Sequence, residues 1–237
     1  MTVRRVDAWF FSCDFEGGVN FFHHKMIQFL YELGAEFYKS APFPPPIMLD
    51  PESKIKPDGR LIGSIRSTHP LLNTAIESDE VKKGFLALYG DGICDKSFRI
   101  SASGWRDDRE GFETIIQQLA TGRVEFLKLI VSKMGVKIAF VDDVWGTKFT
   151  DKSLDEVKCR HLFWTTYFGP RYVEKYGREF LLNTPAFKTE ELEGGVLITV
   201  TEKFLDFALN DPNETLKYLR QEFKGMRANR FKIHEAF

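Results

Sequence analysis

The sequence predicts an α+β protein whose residues 96–202 follow a ferredoxin-like succession of strand, helix, strand, strand, helix and strand. Two observations carry this prediction. Apolar residues recur at close to 3.6-residue spacing over residues 109–134, which is typical of a helix packed on a core. Gly194 and Gly195 introduce the run VLITVT, whose β-branched residues favour a strand. Residues 1–90 are expected to add a strand and helices to the same sheet.

The N-terminal half is expected to begin with a strand at residues 3–13, where β-branched and aromatic residues are frequent. An amphipathic helix is predicted over residues 19–38. Residues 41–59 contain six prolines, which remove backbone donors and disfavour helix, so this segment is interpreted as an internal connector. A short strand at 60–66 and a helix at 76–88 are expected to follow.

The C-terminal half is expected to alternate strands with helices. A strand at residues 98–102 should end at Gly104, and Thr121-Gly122 leaves open whether 109–134 forms one helix or two. Further strands are predicted at residues 136–144, 159–168 and 196–201. Pro170 suits the first turn of the next helix, where its missing N–H costs nothing. The last helix is expected near residues 213–224, with Asn210 or Asp211 as its N-cap.

Composition bounds the class of protein. The chain has 237 residues, 43% of them hydrophobic, so one core can be buried without disulfides, and a single domain spanning residues 1–237 is expected. The net charge of -1 provides no overall electrostatic attraction for nucleic acid or an anionic membrane. No apolar run reaches the ~18 residues of a membrane span, and three scattered cysteines suit a reducing compartment. We therefore expect a cytoplasmic protein that needs no cofactor.

Common catalytic motifs are missing from the sequence. It contains no P-loop, dinucleotide fingerprint, nucleophile-elbow serine, paired-histidine zinc helix or calcium loop. These enzyme classes are therefore disfavoured, although an enzyme whose residues are dispersed along the chain would not be detected in this way.

One loose pattern resembles a metal-dependent nuclease site, in which acidic side chains hold a divalent ion and a lysine positions water. Asp142 or Asp143 would act with Glu156 and Lys158, placed on or near two successive strands. The same residue types arise readily as solvated surface charge, which is the favoured interpretation.

Histidine and cysteine residues offer two weaker candidates. His23 and His24 are adjacent on a predicted helix, where their side chains diverge by about 100° and cannot readily share a metal. Cys159 and His161 would lie on one face of a strand, a geometry that a metal or a thiolate-imidazole pair could use. No third ligand is evident, so a buried cysteine beside a packed histidine is favoured.

Two clusters combine aromatic and charged residues, the types that dominate protein-binding hot spots. They are candidate partner-binding residues: Trp105, Arg106, Asp107 and Asp108 in one cluster, and Asp142, Asp143 and Trp145 in the other. The alternative is structural, with each tryptophan covering the core and Asp107 or Asp108 capping a helix.

Residues 164–202 read WTTYFGPRYVEKYGREFLLNTPAFKTEELEGGVLITVTE. This stretch resembles bacterial immunity proteins of polymorphic-toxin and type VI secretion systems, through Trp164, Gly169, Gly177 and the Gly194-Gly195 strand. The resemblance implies a cytoplasmic protein that binds a cognate toxin and blocks it. It supplies no functional residue to carry over.

Three functions therefore follow from the sequence. The first is a non-enzymatic, immunity-type binder of a protein toxin, and the second is a metal-dependent nuclease or hydrolase of a bacterial defence system. Nucleic-acid binding without chemistry is disfavoured by the net charge. The sequence does not define an oligomeric state.

Overall fold

A computed structural model provides the fold. It describes residues 2–11, 28–29, 32, 35–38, 61–67, 84–89, 97–106, 109–143 and 151–229. The predicted connector at 41–59 and the two histidines at 23 and 24 lie outside these residues.

Nine strands form one antiparallel sheet in the order β2-β3-β4-β5-β1-β6-β8-β10-β9, and β11 pairs with β7 in a small parallel ladder. The strands are β1 (Thr2–Phe11), β2 (Ala35–Tyr38), β3 (Leu61–Ser67), β4 (Gly84–Tyr89), β5 (Ser97–Arg106), β6 (Ile138–Asp142), β7 (His161–Leu162), β8 (Thr165–Phe168), β9 (Lys188–Leu192), β10 (Gly195–Thr199) and β11 (Arg227–Ala228).

The helices of the C-terminal half pack on both faces of this sheet. They are α1 (Arg109–Lys133), α2 (Asp151–Asp155), α3 (Pro170–Tyr176), α4 (Arg178–Leu182), α5 (Phe204–Leu209) and α6 (Asn213–Leu219). None of these helices combines the length and apolar character that would be needed to span a lipid bilayer, as far as the described part of the chain extends.

The predicted α+β class is confirmed. The finer ferredoxin-like order is not confirmed, because β1 lies between β5 and β6 in the sheet. Placement of the N-terminal strand on the same sheet is correct, and Thr2 pairs with Arg106 while Phe11 pairs with both Ser97 and Ile138.

The two faces of the central strands are packed differently. On one face, Phe10 of β1 meets Phe126 of α1 edge to face, with ring centroids 5.9 Å apart. On the opposite face, Phe140 of β6 stacks on Phe163 at 3.6 Å and also contacts Trp9. Alternation of side chains along β1 thus supplies aromatic residues to both layers.

Strand β9 lies at one end of the sheet and is rich in charge. Glu190 pairs with Lys188 on its own strand and with Lys128 of α1, the latter at 2.7 Å, while Glu191 pairs with Arg178 at 2.6 Å. Charged side chains of this kind discourage a foreign strand from pairing with an exposed sheet edge.

Two predicted helices of the N-terminal half were wrong in part. Gln28, Phe29 and Glu32 are helical, but Ala35–Tyr38 at the end of the predicted helix is strand β2. Residues 84–88 of the helix predicted at 76–88 belong instead to strand β4, whose pairing with β3 and β5 on both sides outweighs local helix preference.

In the C-terminal half the long helix is continuous through Thr121 and Gly122, and Pro170 begins α3 as predicted. Gly104 does not end its strand, since it pairs with Arg4 inside β5. Pro212, not Asn210 or Asp211, occupies the N-cap position of α6. Strand β9 and helix α5 were not predicted.

Candidate functional site

The two predicted partner-binding clusters follow strands that both run antiparallel to β1. Trp105 and Arg106 end β5 opposite Val3 and Thr2, and Asp142 ends β6 opposite Asp7. Trp105 and Arg106 therefore lie beside the start of β1, whereas Asp142 lies beside its middle. Three of the predicted residues lie outside the described part of the chain: Asp107, Asp108 and Trp145.

Asp142 and Asp143 are buried, at 5% and 6% exposure. The Asp143 N–H donates to Asp142 Oδ1 at 2.8 Å, and Asn229 Nδ2 approaches Oδ2 at 3.4 Å. The pKa of Asp142 is raised to about 8, mainly by burial. The charge of Asp143 acts in the same direction, and these hydrogen bonds and one from the Trp164 N–H oppose the shift. In this conformation the two carboxylates present little surface to a partner, and their role in binding stays a prediction.

Other charged groups are buried in the same part of the fold. Asp7 is fully buried and directly opposite Asp142, so both side chains lie on one face of the sheet. Arg123 of α1 is also fully buried, and desolvation lowers its pKa to about 10 while the charge of Asp7 opposes the shift. Buried charged side chains thus occur on β1, β6 and α1.

The nuclease-type residues are arranged differently from the prediction. Glu156 and Lys158 follow helix α2 instead of lying on a strand, and Val157 between them has a φ of 51°. Lys158 Nζ lies 2.5 Å from Glu156 Oε2, and this hydrogen bond is the largest cause of a lowered pKa for Glu156.

No metal site is formed by these residues. All four predicted nuclease residues are described, and the described residues contain no group of three or more His, Cys, Asp or Glu side chains that could hold a metal ion. The set of Asp142, Asp143 and Glu156 therefore does not support the nuclease interpretation.

The cysteine beside His161 is a structural residue. Cys159 is 3% exposed, and its Sγ donates to the His161 carbonyl at 3.0 Å. The two residues do not share a strand, because β7 begins only at His161. Burial raises the pKa of the Cys159 thiol to about 12, so it remains protonated and unreactive at neutral pH.

Cys159 is accordingly expected to resist alkylation in the native protein. Iodoacetamide at pH 8 should leave the Cys159 peptide unmodified under conditions that alkylate it completely in 6 M guanidinium. Peptide mass spectrometry measures both fractions. Extensive modification of Cys159 in the native state would show that the thiol is accessible, contrary to its burial.

A surface feature that the sequence did not predict lies between the start of β9 and the α5–α6 connection. It is an open groove of about 490 Å³, here called the acidic groove, lined by Pro185, Ala186, Val200, Thr201 and residues 211–215. Its lining includes the carboxylates Asp211 and Glu214, and no lysine or arginine is among these lining residues.

Large apolar side chains flank the acidic groove in the chain. Phe187 follows Ala186 and is 57% exposed, and Leu209 precedes Asp211 by two positions and is 51% exposed. They are the large hydrophobic residues that stand exposed in the described part of the protein. Neither exposure was predicted, because a large apolar residue in or beside a regular element is ordinarily assigned to the core.

The walls of the acidic groove are held by hydrogen bonds between segments distant in sequence. The Thr215 hydroxyl donates to the Pro185 carbonyl, and the Phe187 N–H donates to the Val200 carbonyl at 3.0 Å. Trp164 Nε1 donates to the Thr201 carbonyl at 2.9 Å. The groove is thus a formed part of the surface, and a partner would find its walls already in place.

The fold defines the class of an α+β protein built on a wide antiparallel sheet. No family model matches the chain, and no curated protein matches it. Among solved structures it is similar to the Pseudomonas aeruginosa T6SS protein PA0821, with a TM-score of 0.47 and 11% identity over 95% of this chain and 73% of the other.

A second similar structure is the toxic C-terminal tip of CdiA from Pseudomonas aeruginosa in complex with immune protein. Its TM-score is 0.31, with 9% identity over 60% of this chain and 86% of the other. Because both TM-scores lie below 0.5, the two structures establish neither a family nor a function.

Proposed function

We propose that the protein is a non-enzymatic binding protein of the immunity type, which sequesters and neutralises a cognate protein toxin. The observation that carries this proposal is the acidic groove with exposed Phe187 and Leu209 beside it. Exposed apolar side chains next to fixed polar walls are typical of surfaces that bind other proteins. The resemblance of residues 164–202 to immunity proteins supports the same function.

The remaining predicted contacts belong to the same proposal. Trp105 and Arg106 lie at the end of the sheet where β1 begins, and we propose that their cluster, with Asp107, Asp108 and Trp145, contributes to partner binding. Asp142 and Asp143 would act there through the backbone they hold in place, since both carboxylates are buried. The proposed site of action is the cytoplasm.

The test is a pull-down of the tagged protein from its native cells, followed by co-expression of whatever co-purifies. A partner recovered in near-equal amount should arrest growth when expressed alone, and this protein should restore growth when produced with it. A partner that is harmless to cells, or one that remains toxic in its presence, would overturn the immunity function. Recovery of no stoichiometric partner would count against binding itself.

A further inference from the structure

A second cleft lies between the end of α1, the start of α3 and the turn that joins β9 to β10. It has a volume of about 310 Å³ and is here called the Tyr167 cleft. The turn lies beside α3, since a Cβ on Gly194 would be 3.6 Å from Pro170 Cγ. The cleft is lined by residues 131–137, Tyr167, Pro170, Arg171 and Glu193, and it shares no lining residue with the acidic groove.

The hydroxyl group of Tyr167 is a polar group that the fold leaves unpaired. Tyr167 is 1% exposed, and its hydroxyl makes no hydrogen bond to any residue in the described part of the chain. A buried hydroxyl without a protein partner is uncommon and needs water, an ion or a ligand to satisfy it. Gly195 makes room for the ring, because a Cβ there would lie 2.6 Å from Tyr167 Cε2 and Cζ. The missing side chain at position 195 thus lets Tyr167 form part of the cleft wall.

Two positive charges line the cleft without a carboxylate to balance them. Lys133 ends α1 and Arg171 is the second residue of α3, and both are exposed. Neither forms an ion pair with another described residue; Arg171 Nη2 donates only to the Asp155 carbonyl, at 3.4 Å. The third cation of the lining, Lys137, is already paired with the Asp155 carboxylate at 3.4 Å.

One negative charge enters the cleft from the β9–β10 turn. Glu193 has a φ of 46°, and within the described residues its carboxylate has no ion pair or hydrogen bond. The pKa of Tyr167 is raised, mainly by burial and also by the charge of Glu193, so the carboxylate lies near the hydroxyl. The cleft therefore presents an acidic and polar part at Glu193 and Tyr167, and a basic part at Lys133 and Arg171.

We infer that the Tyr167 cleft binds a small zwitterion of the α-amino acid class. The ammonium group of the ligand lies at Glu193 and the Tyr167 oxygen, and its carboxylate lies at Arg171 and Lys133. A ligand with only one charge would be attracted by one part of the cleft and repelled by the other, whereas a zwitterion satisfies both. This inference is independent of toxin binding.

The size and lining of the cleft suit such a ligand. Its volume of about 310 Å³ lies at the lower end of the ~300–1,000 Å³ that is typical of small-molecule sites. Val131, Met134 and Val136 contribute apolar surface to the lining, against which an aliphatic side chain can pack. L-leucine is therefore a suitable probe.

The first test compares L-leucine with three analogues that lack one or both charges: N-acetyl-L-leucine, L-leucinamide and N-acetyl-L-leucinamide. Each is titrated into the protein while NMR follows the backbone amides. L-leucine should shift the amides of residues 131–137, 167, 171 and 193–195, and each analogue should bind about tenfold more weakly or not at all. Equal binding of a singly charged analogue, or shifts that do not concentrate at these residues, would overturn the inference.

The second test uses two variants that keep the shape of the cleft. Tyr167→Phe removes only the hydroxyl and should weaken L-leucine binding about fivefold. Its urea unfolding midpoint should stay that of the wild type, because no internal hydrogen bond is lost. Glu193→Gln should weaken L-leucine about tenfold but should not weaken N-acetyl-L-leucine, which has no ammonium group.

Glu179→Gln is the matched control, since it removes a carboxylate from an exposed position of α4 outside the cleft. It should retain full affinity for L-leucine. Wild-type affinity in both Tyr167→Phe and Glu193→Gln would show that the cleft does not recognise the ligand through these groups. Such a result would leave the proposed binding of a toxin untouched, because that function rests on the acidic groove.

Discussion

Replacing Gly169 with alanine is expected to lower the free energy of unfolding by about 3 kcal/mol or more. A Cβ at this position would lie 2.5 Å from the Val136 carbonyl oxygen and 2.6 Å from that of Lys137. Both oxygens belong to the backbone that leads into β6, and the Gly169 N–H donates to the Lys137 oxygen at 2.9 Å. The clash can be relieved only by separating two segments of the core.

Gly135 provides the matched control for this substitution. A Cβ there meets no atom within 4 Å, so Gly135→Ala should change stability by less than about 1 kcal/mol, with any change favouring the folded state. Urea unfolding of the wild type and both variants measures the difference. Equal stabilities for the two alanine variants would show that the chain relaxes around Gly169 without cost.

Asp142 is expected to make the protein less stable as the pH rises. Its pKa is raised from 3.8 to about 8 by burial, so between these values the folded state holds a proton that the unfolded state has lost. The stabilisation is complete below pH 4 and is lost progressively up to about pH 8. Between pH 5 and pH 8 the loss should amount to roughly 3–4 kcal/mol.

Asp142→Asn isolates this contribution. The amide is neutral at every pH and keeps an oxygen to accept the Asp143 N–H, so the variant should match the wild type below about pH 4 and exceed its stability by a growing margin up to pH 8. Other titrating groups are common to both proteins and cancel in the difference. Denaturant unfolding at several pH values gives that difference, and Glu174→Gln controls for loss of an exposed carboxylate. Parallel pH profiles for wild type and Asp142→Asn would rule out the proposed ionisation.

The sequence predicted best those helices and strands whose conformation is determined by residues within the same segment. The apolar stripe of α1 repeats along one segment, and the fixed φ of Pro170 suits the first turn of α3 wherever that helix packs. Strand β9 was missed because KTEEL has no alternation of apolar residues and is extended only through its pairing with β10. Its connection to β10 is a tight turn with positive φ at Glu193 and Gly194. The dipeptide Glu-Gly alone does not predict such a turn.

The candidate site was harder to predict because it is assembled from distant segments. The pair Asp142-Asp143 is visible in the sequence, but its burial depends on Asn229 and the backbone of Trp164. The acidic groove joins residues near 185, 200 and 212, and no local pattern brings these together. The exposure of Phe187 follows from that assembly, whereas its residue type alone favours the core.

The position of β1 in the sheet has a consequence for how the protein is made. This strand is synthesised before its neighbours β5 and β6, which emerge from the ribosome only after a long intervening part of the chain has been translated. Until then its Trp9, Phe10 and Phe11 have no native sheet to join, and unpaired apolar strands are prone to associate wrongly. Contacts so distant in sequence also slow folding. The strand Thr2–Phe11 is therefore exposed to non-native association during translation until β5 has been synthesised.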